Sequence, residues 1–251
     1  MQETAEPPRV LLNVLGTFAV LVDGKPVQLP FQAQRVLGCL AAVKPAQSRA
    51  ELAGRLWTDS PQDHAMASLR NALWRIRSGG PLIRSFRRSV ALDPQVWTDI
   101  AYARRCAAQI ELGSHTRPSA PTIDILDNDL LPGWDDEWLI VERERLRQLR
   151  IHALEAIGLA LIRQGRYAQA IQAALAAVRA EPLRESAQTV LVSAHLGEGN
   201  VSEALRQLET YRQLLARELG LRPSERIEAL LATTTARSRL CYCADGTGTG
   251  E

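Results

Sequence analysis

The chain has 251 residues, 46% of them apolar and 23% charged, with a formal net charge of +2. This length holds one large domain or two ordinary ones, and the composition excludes a disordered polypeptide. No run approaches the ~18 uninterrupted apolar residues of a membrane helix, and the opening MQETAEPPRV lacks the apolar core of a signal peptide.

A cytoplasmic protein without a membrane partner is therefore expected. Charge is uneven along it: residues 1–97 hold 12 Lys and Arg against 7 Asp and Glu, and residues 98–251 hold 18 against 21. Between Ser60 and Val90 stand six arginines and a single acid, Asp63. A basic segment on a near-neutral chain points to one surface that faces a polyanion. Cys39 and Cys106 lie in apolar helical patterns and read as small core residues, while Cys241 and Cys243 read as an incidental pair. Cysteines without framework spacing suit a reducing compartment.

Residues 10–29 alternate and turn like short strands, with Asp23, Gly24 and Lys25 as a hairpin turn. Apolar residues at helical spacing follow over 33–43. Ser48 with Glu51 forms a capping box that opens a second helix through Trp57. For the third helix, Ser60 is the expected N-cap, Pro61 the first helical residue and Asp63 the box partner; Gly79 and Gly80 stop it, and Pro81 bars its continuation. The few residues between helices two and three are helix-turn-helix spacing. Residues 82–93 then read as two short strands around a basic tip. Together these elements predict a winged helix-turn-helix over 9–95, an α+β domain.

From Thr98 the pattern is helical, interrupted at 111–122 by a loop-like ELGSHTRPSAPT. A few residues near Pro94 join the two parts. A long helix is expected from about Asp135 to Gln164, its start carrying Asp135, Asp136 and Glu137. Beyond it a repeat appears: Gly165 and Gly199 lie 34 residues apart, as do Ala170 and Ala204. Leu161/His195, Ile162/Leu196, Ile171/Leu205 and Ala174/Leu208 fill equivalent slots. This period resembles the tetratricopeptide repeat, with Gly158, Tyr167, Ala177 and Pro182 in the first unit and Val192 and Ala216 replacing Gly158 and Pro182 in the second. The fold class is thus mainly α: the winged helix-turn-helix, an all-α tetratricopeptide-like domain over 98–236, and a tail over 237–251.

The third helix is the most informative stretch. At 100° per residue, Met66, Leu69, Ala72, Leu73 and Ile76 share one arc, and Ala67, Ser68, Arg70, Asn71, Trp74, Arg75 and Arg77 the opposite one. A solvated face would mix acids with bases and would not hold an indole. A major-groove surface explains both features. Arginine pairs bidentately with guanine and asparagine with adenine, so Arg70 and Asn71 are candidate base readers, and short Ala67 admits a thymine methyl. Trp74 can pack on sugars while its N–H reaches a phosphate. Arg75 and Arg77 suit the backbone, as do Arg84, Arg87 and Arg88 on the wing, which can also enter a minor groove. Other roles fit as well: Arg77 can complement the helix C-terminus, and Trp74 can pack under the wing or on the second domain.

Elsewhere, Trp134 and Trp138, at i and i+4 on one helix side, read as core anchors of the long helix or as a ligand cage. His64, His115, His152 and His195 have no ligand spacing. No nucleophile elbow, HExxH or paired-carboxylate setting appears, so an enzyme is not expected, nor a metal or cofactor.

LWTDSPQDHAMASLRNALWRIR, DLLPGWDDEWLIVERERLRQLR and ELGLRPSERIEAL together resemble the bacterial antibiotic regulatory protein (SARP) family, over about residues 9–235. The resemblance implies a transcriptional activator with a response-regulator-type winged helix and a C-terminal bacterial transcriptional activation domain. It implies binding to direct repeats in double-stranded promoter DNA as a head-to-tail homodimer, and recruitment of RNA polymerase for an antibiotic biosynthetic gene cluster. By the same likeness Thr58, Asp59 and Ser60, between helices two and three, are candidate polymerase contacts. The wing, FRRSVAL, lacks the glycine-tyrosine pair frequent in the family. No GxxxxGK[ST] marks a nucleotidase module, and the few residues before the first strand leave no receiver domain, so control by an aspartyl phosphate is not expected. Two other readings stand beside this one: a ligand-controlled regulator sensing a small molecule in the helical domain, and a scaffold whose winged helix binds protein.

Overall fold

The computed structural model describes residues 9–111 and 120–231. His115, Cys241, Cys243, residues 112–119 of the predicted loop and the 237–251 tail lie outside the described residues. The described residues pack as two units, which fall within Met1–Cys106 with Asn128–Gln148 and within Ala107–Asp127 with Leu149–Glu251.

The first unit opens on strands β1 (Val10–Asn13), β2 (Ala19–Val22) and β3 (Lys25–Pro26). β1 and β2 pair antiparallel, Val10 opposite Val22, so Val10 and Leu12 are buried and their neighbours are only half-covered. Asp23 and Gly24 both take positive φ, 49° and 75°, as a two-residue hairpin turn requires. The sheet runs β3-β2-β1-β7, where β7 (Val96–Thr98) pairs parallel with β1. Two residues after Pro94, then, the chain is a sheet strand.

Helices α1 (Phe31–Ala42), α2 (Arg49–Leu56) and α3 (Gln62–Ser78) follow, with β4 (Ala46–Ser48) between the first two. Ser48 caps α2 by accepting the Glu51 N–H at 3.1 Å. A second sheet, β4-β6-β5, joins β4 to the wing strands β5 (Ile83–Ser85) and β6 (Ser89–Leu92). α1 carries Val36, Leu37, Cys39 and Leu40 into the core, and burial pushes the Cys39 thiol up to about 11. Cys106, expected in the core, is only half-buried on α4 (Asp99–Glu111).

Asp99 explains how β1 ends. Its buried carboxylate accepts the N–H groups of Val14, Leu15 and Ile100, at 2.7 to 3.0 Å. Desolvation raises its pKa, and these donors oppose the rise.

The long helix α6 spans Glu137–Arg163, two residues shorter at its start than expected, and its first turns belong to the first unit. Trp134 therefore lies ahead of the helix and does not form an i,i+4 pair with Trp138. Its ring packs on Phe31 at 5.0 Å and Phe18 at 5.6 Å, while Trp138 is buried separately. That arrangement anchors Trp134 to α1, and Trp138, buried apart, forms no cage with it. Gly38 makes room for it: a Cβ there would stand 3.0 Å from Leu131 Cδ1 and 3.4 Å from Trp134 Cζ3. Arg143 fastens the same turn by donating to the carbonyls of Leu130, Leu131 and Trp134.

The second unit holds α5 (Ala120–Asp127), the later turns of α6, α7 (Tyr167–Ala180), α8 (Glu185–Glu198) and α9 (Val201–Leu219), then helical residues 225–231. Some of the residues at period 34 occupy equivalent places, whereas Leu161 is buried and His195 half-buried, and Ile171 is half-buried and Leu205 exposed. Gly165 and Gly199 take φ of 70° and 85° before α7 and α9, while Ala170 and Ala204 are fully buried, as are Ala174 and Leu208. Close helix approach is visible at Gly158, where an added Cβ would lie 2.6 Å from Val190 Cγ1. Among the described residues no helix is long and apolar enough to cross a membrane.

Candidate nucleic-acid interface

α3 sorts its two arcs as the periodicity requires. Leu69, Ala72, Leu73 and Ile76 are buried with Ala65, packed toward α1 and α2, and Met66 is half-buried. Its start differs from expectation. Pro61 itself holds the N-cap position with φ −52° and ψ 145°, and no side chain caps the helix. The extended ψ that the proline takes pushes the helix start to Gln62, which displaces Ser60 into the loop. Asp63 still lies in the first turn, where a negative charge suits the helix dipole. At the other end Gly79 donates to the Ile76 carbonyl at 3.0 Å, and Gly80 turns at φ 134°.

On the opposite arc Ala67, Arg70, Asn71, Trp74, Arg75 and Arg77 are all exposed, and Ser68 is half-buried. Trp74 is 58% exposed, an unusual state for an indole. The Arg75 guanidinium lies over it, 4.7 Å from the ring centroid. Ser68, Asn71 and Arg75 line a groove of about 330 Å³ with Pro30, Ala33 and Trp57. Ala67, Arg70, Trp74 and Arg77 stand outside it. None of the four α3 and wing-tip cations Arg70, Arg77, Arg87 and Arg88 forms an ion pair with an acid among the described residues.

Arg84 behaves differently from the other wing arginines. It pairs with Asp93 at 2.9 Å across the hairpin, so the three wing bases do not stand free of acids as the sequence suggests. The Gln95 N–H and then Arg84 hold the Asp93 carboxyl below the ordinary carboxylate range. Arg87 and Arg88 are exposed at the tip. Thr58, Asp59 and Ser60 are exposed as well, on the rim of a cleft of about 620 Å³ shared with Phe31, Arg35, Trp57 and Trp134. Two residues escaped sequence reasoning. His64 is exposed one turn before Ser68 and two turns before Asn71, a position the 100° wheel already assigns to the outer arc. Arg49 donates from its N–H to the Arg88 carbonyl at 2.9 Å and from Nε to the Phe86 carbonyl at 3.3 Å; nothing local in the sequence marks that contact. Among the described residues no cluster of His, Cys, Asp and Glu could hold a metal ion.

The fold and this surface define a winged helix-turn-helix protein with a helical repeat unit. Comparison with known proteins carries that further. The bacterial transcriptional activator domain matches residues 101–233. The regulatory protein AfsR of Streptomyces coelicolor is 30% identical over 244 residues, 91% of this chain and 24% of that protein. AfsR of Streptomyces griseus is 30% identical over 222 residues, 78% of this chain and 22% of that protein. The chain thus spans about a quarter of the length of these curated relatives. Mycobacterium tuberculosis EmbR, solved in complex with a low affinity phosphopeptide, superposes with a TM-score of 0.67 at 20% identity, covering 91% of this chain and 65% of that one. At that identity the likeness is one of fold. The chain belongs to the bacterial transcriptional activator domain family, in the SARP arrangement.

Proposed function

We propose that this chain is a sequence-specific DNA-binding activator of transcription, seating α3 in the major groove of promoter DNA. One observation carries the reading: Trp74 is 58% exposed on a helix arc whose arginines have no described acid partner. A duplex supplies both an apolar cover for the indole and the missing negative charge. Arg70 and Asn71 read base edges and Ala67 admits a thymine methyl, with Ser68 beside them; Trp74 packs on sugar. Arg75, Arg77, Arg87 and Arg88 hold phosphates, and Arg84 contributes less because Asp93 already neutralises it. The finer parts of the reading come from the family: direct-repeat sites bound by a head-to-tail pair of chains, Thr58, Asp59 and Ser60 touching RNA polymerase, and a biosynthetic gene cluster as target. Selecting bound fragments from genomic DNA with the purified protein, then footprinting the winners, tests it. Two protected direct repeats on one face of the duplex are expected. Recovery of no preferred sequence would remove the claim of specific binding.

A further inference from the structure

The wing tip holds an aromatic side chain that the scheme above leaves unused. Phe86 is 56% exposed, directly before Arg87 and Arg88, at the turn between β5 and β6. Its backbone is fixed from both sides. The Phe86 N–H donates to the Ser89 carbonyl at 2.9 Å. Arg49, at the start of α2, donates to the carbonyls of both Phe86 and Arg88. A tip tied at three points presents its side chains on a rigid base, so little conformational freedom is lost when they engage a partner. Arg84, lower on the hairpin, is committed to Asp93, which leaves Arg87 and Arg88 as the wing cations without a described acid partner.

We infer that Phe86 is an apolar wedge, entering the minor groove and partly unstacking a base step while Arg87 and Arg88 grip the flanking phosphates. This rests on the DNA-binding reading and assigns to it a second reader. Two arginines beside an exposed phenyl match the potential and the shape of a minor groove, where apolar side chains inserted between base pairs kink the duplex. A phenyl ring has no hydrogen-bond donor or acceptor, so it reads deformability and not base edges. The step under the wing is accordingly a flexible pyrimidine–purine step, TA or CA/TG, in preference to a stiff one.

The test uses the full chain and the duplex recovered by selection, with the step under the wing located by footprinting. That step is changed from TA to GG, and 2-aminopurine is placed beside it. The wild type should discriminate the two duplexes about tenfold and brighten the 2-aminopurine on binding. F86A, at an exposed site, should fold normally, discriminate less than about twofold and leave the probe dark; F86W should restore both signals. R70A, saturated at higher concentration, should keep the probe signal. Should F86A match the wild type in discrimination and fluorescence, the wedge is overturned while DNA binding stands. Should the wild type bind no duplex, the wedge and the DNA-binding reading fall together.

Discussion

The arginines of α3 and the wing tip differ in their surroundings from several in the helical repeat unit. In the helical repeat unit several meet acids: Arg184 with Glu155 at 2.7 Å, Arg179 with Asp127 at 2.5 Å, Arg212 with Glu228 and Arg206 with Glu203. On α3 and at the wing tip, Arg70, Arg77, Arg87 and Arg88 have no described acid partner. α3 and the repeat helices are both amphipathic, yet these repeat arginines are paired with acids while those of α3 and the wing tip are open. Helical periodicity decides what is buried; the placement of acids decides what remains available to a polyanion.

The comparison is broken most severely from beneath. Leu69 is fully buried under the outer arc of α3, and Leu69→Ala should lower stability by about 2–5 kcal/mol in urea unfolding. DNA binding should fall with the folded fraction. In the repeat unit the sensitive positions are small ones. Gly158→Val, forced against Val190, should cost about 1–3 kcal/mol, followed by the same method. Trp74→Ala separates the two roles of α3: stability should stay within about 0.5 kcal/mol, while duplex affinity drops severalfold. The smallest effect is expected at a closed pair. Arg212→Ala, facing Glu228 at the surface, should change stability by less than about 1 kcal/mol and leave DNA affinity unaltered.

The helices were readable because their signals are local. The 3.6-residue period of 65–76 separates core from outer arc, and Gly165 with Gly199 marks the repeat by similar positive-φ turns. The misses share a different cause. β7 is three residues long and forms only because β1 offers an edge, with Val10 paired to Val96 across most of the first unit's sequence. Arg84 meets Asp93 through a hairpin register, and Arg49 meets the wing tip through β4. Trp134 was misplaced because its acidic neighbours Asp135 and Asp136 look like a helix start, whereas Asp136 is spent on Arg35. Of the candidate site, the open side of α3 was legible; which wing arginine is already neutralised was not, since that depends on pairing across space.

The central claim is that the exposed arc of α3 reads bases while the wing tip holds phosphates. Salt-titrated anisotropy on the selected duplex, comparing Arg70→Ala with Arg87→Ala, addresses it most directly. Arg87→Ala should lower the log–log salt slope by about 1 and weaken all sequences alike, and Arg70→Ala should relax base preference at one position at a loss of about 1–3 kcal/mol. Indistinguishable behaviour of the two variants, or affinity indifferent to salt, would contradict it.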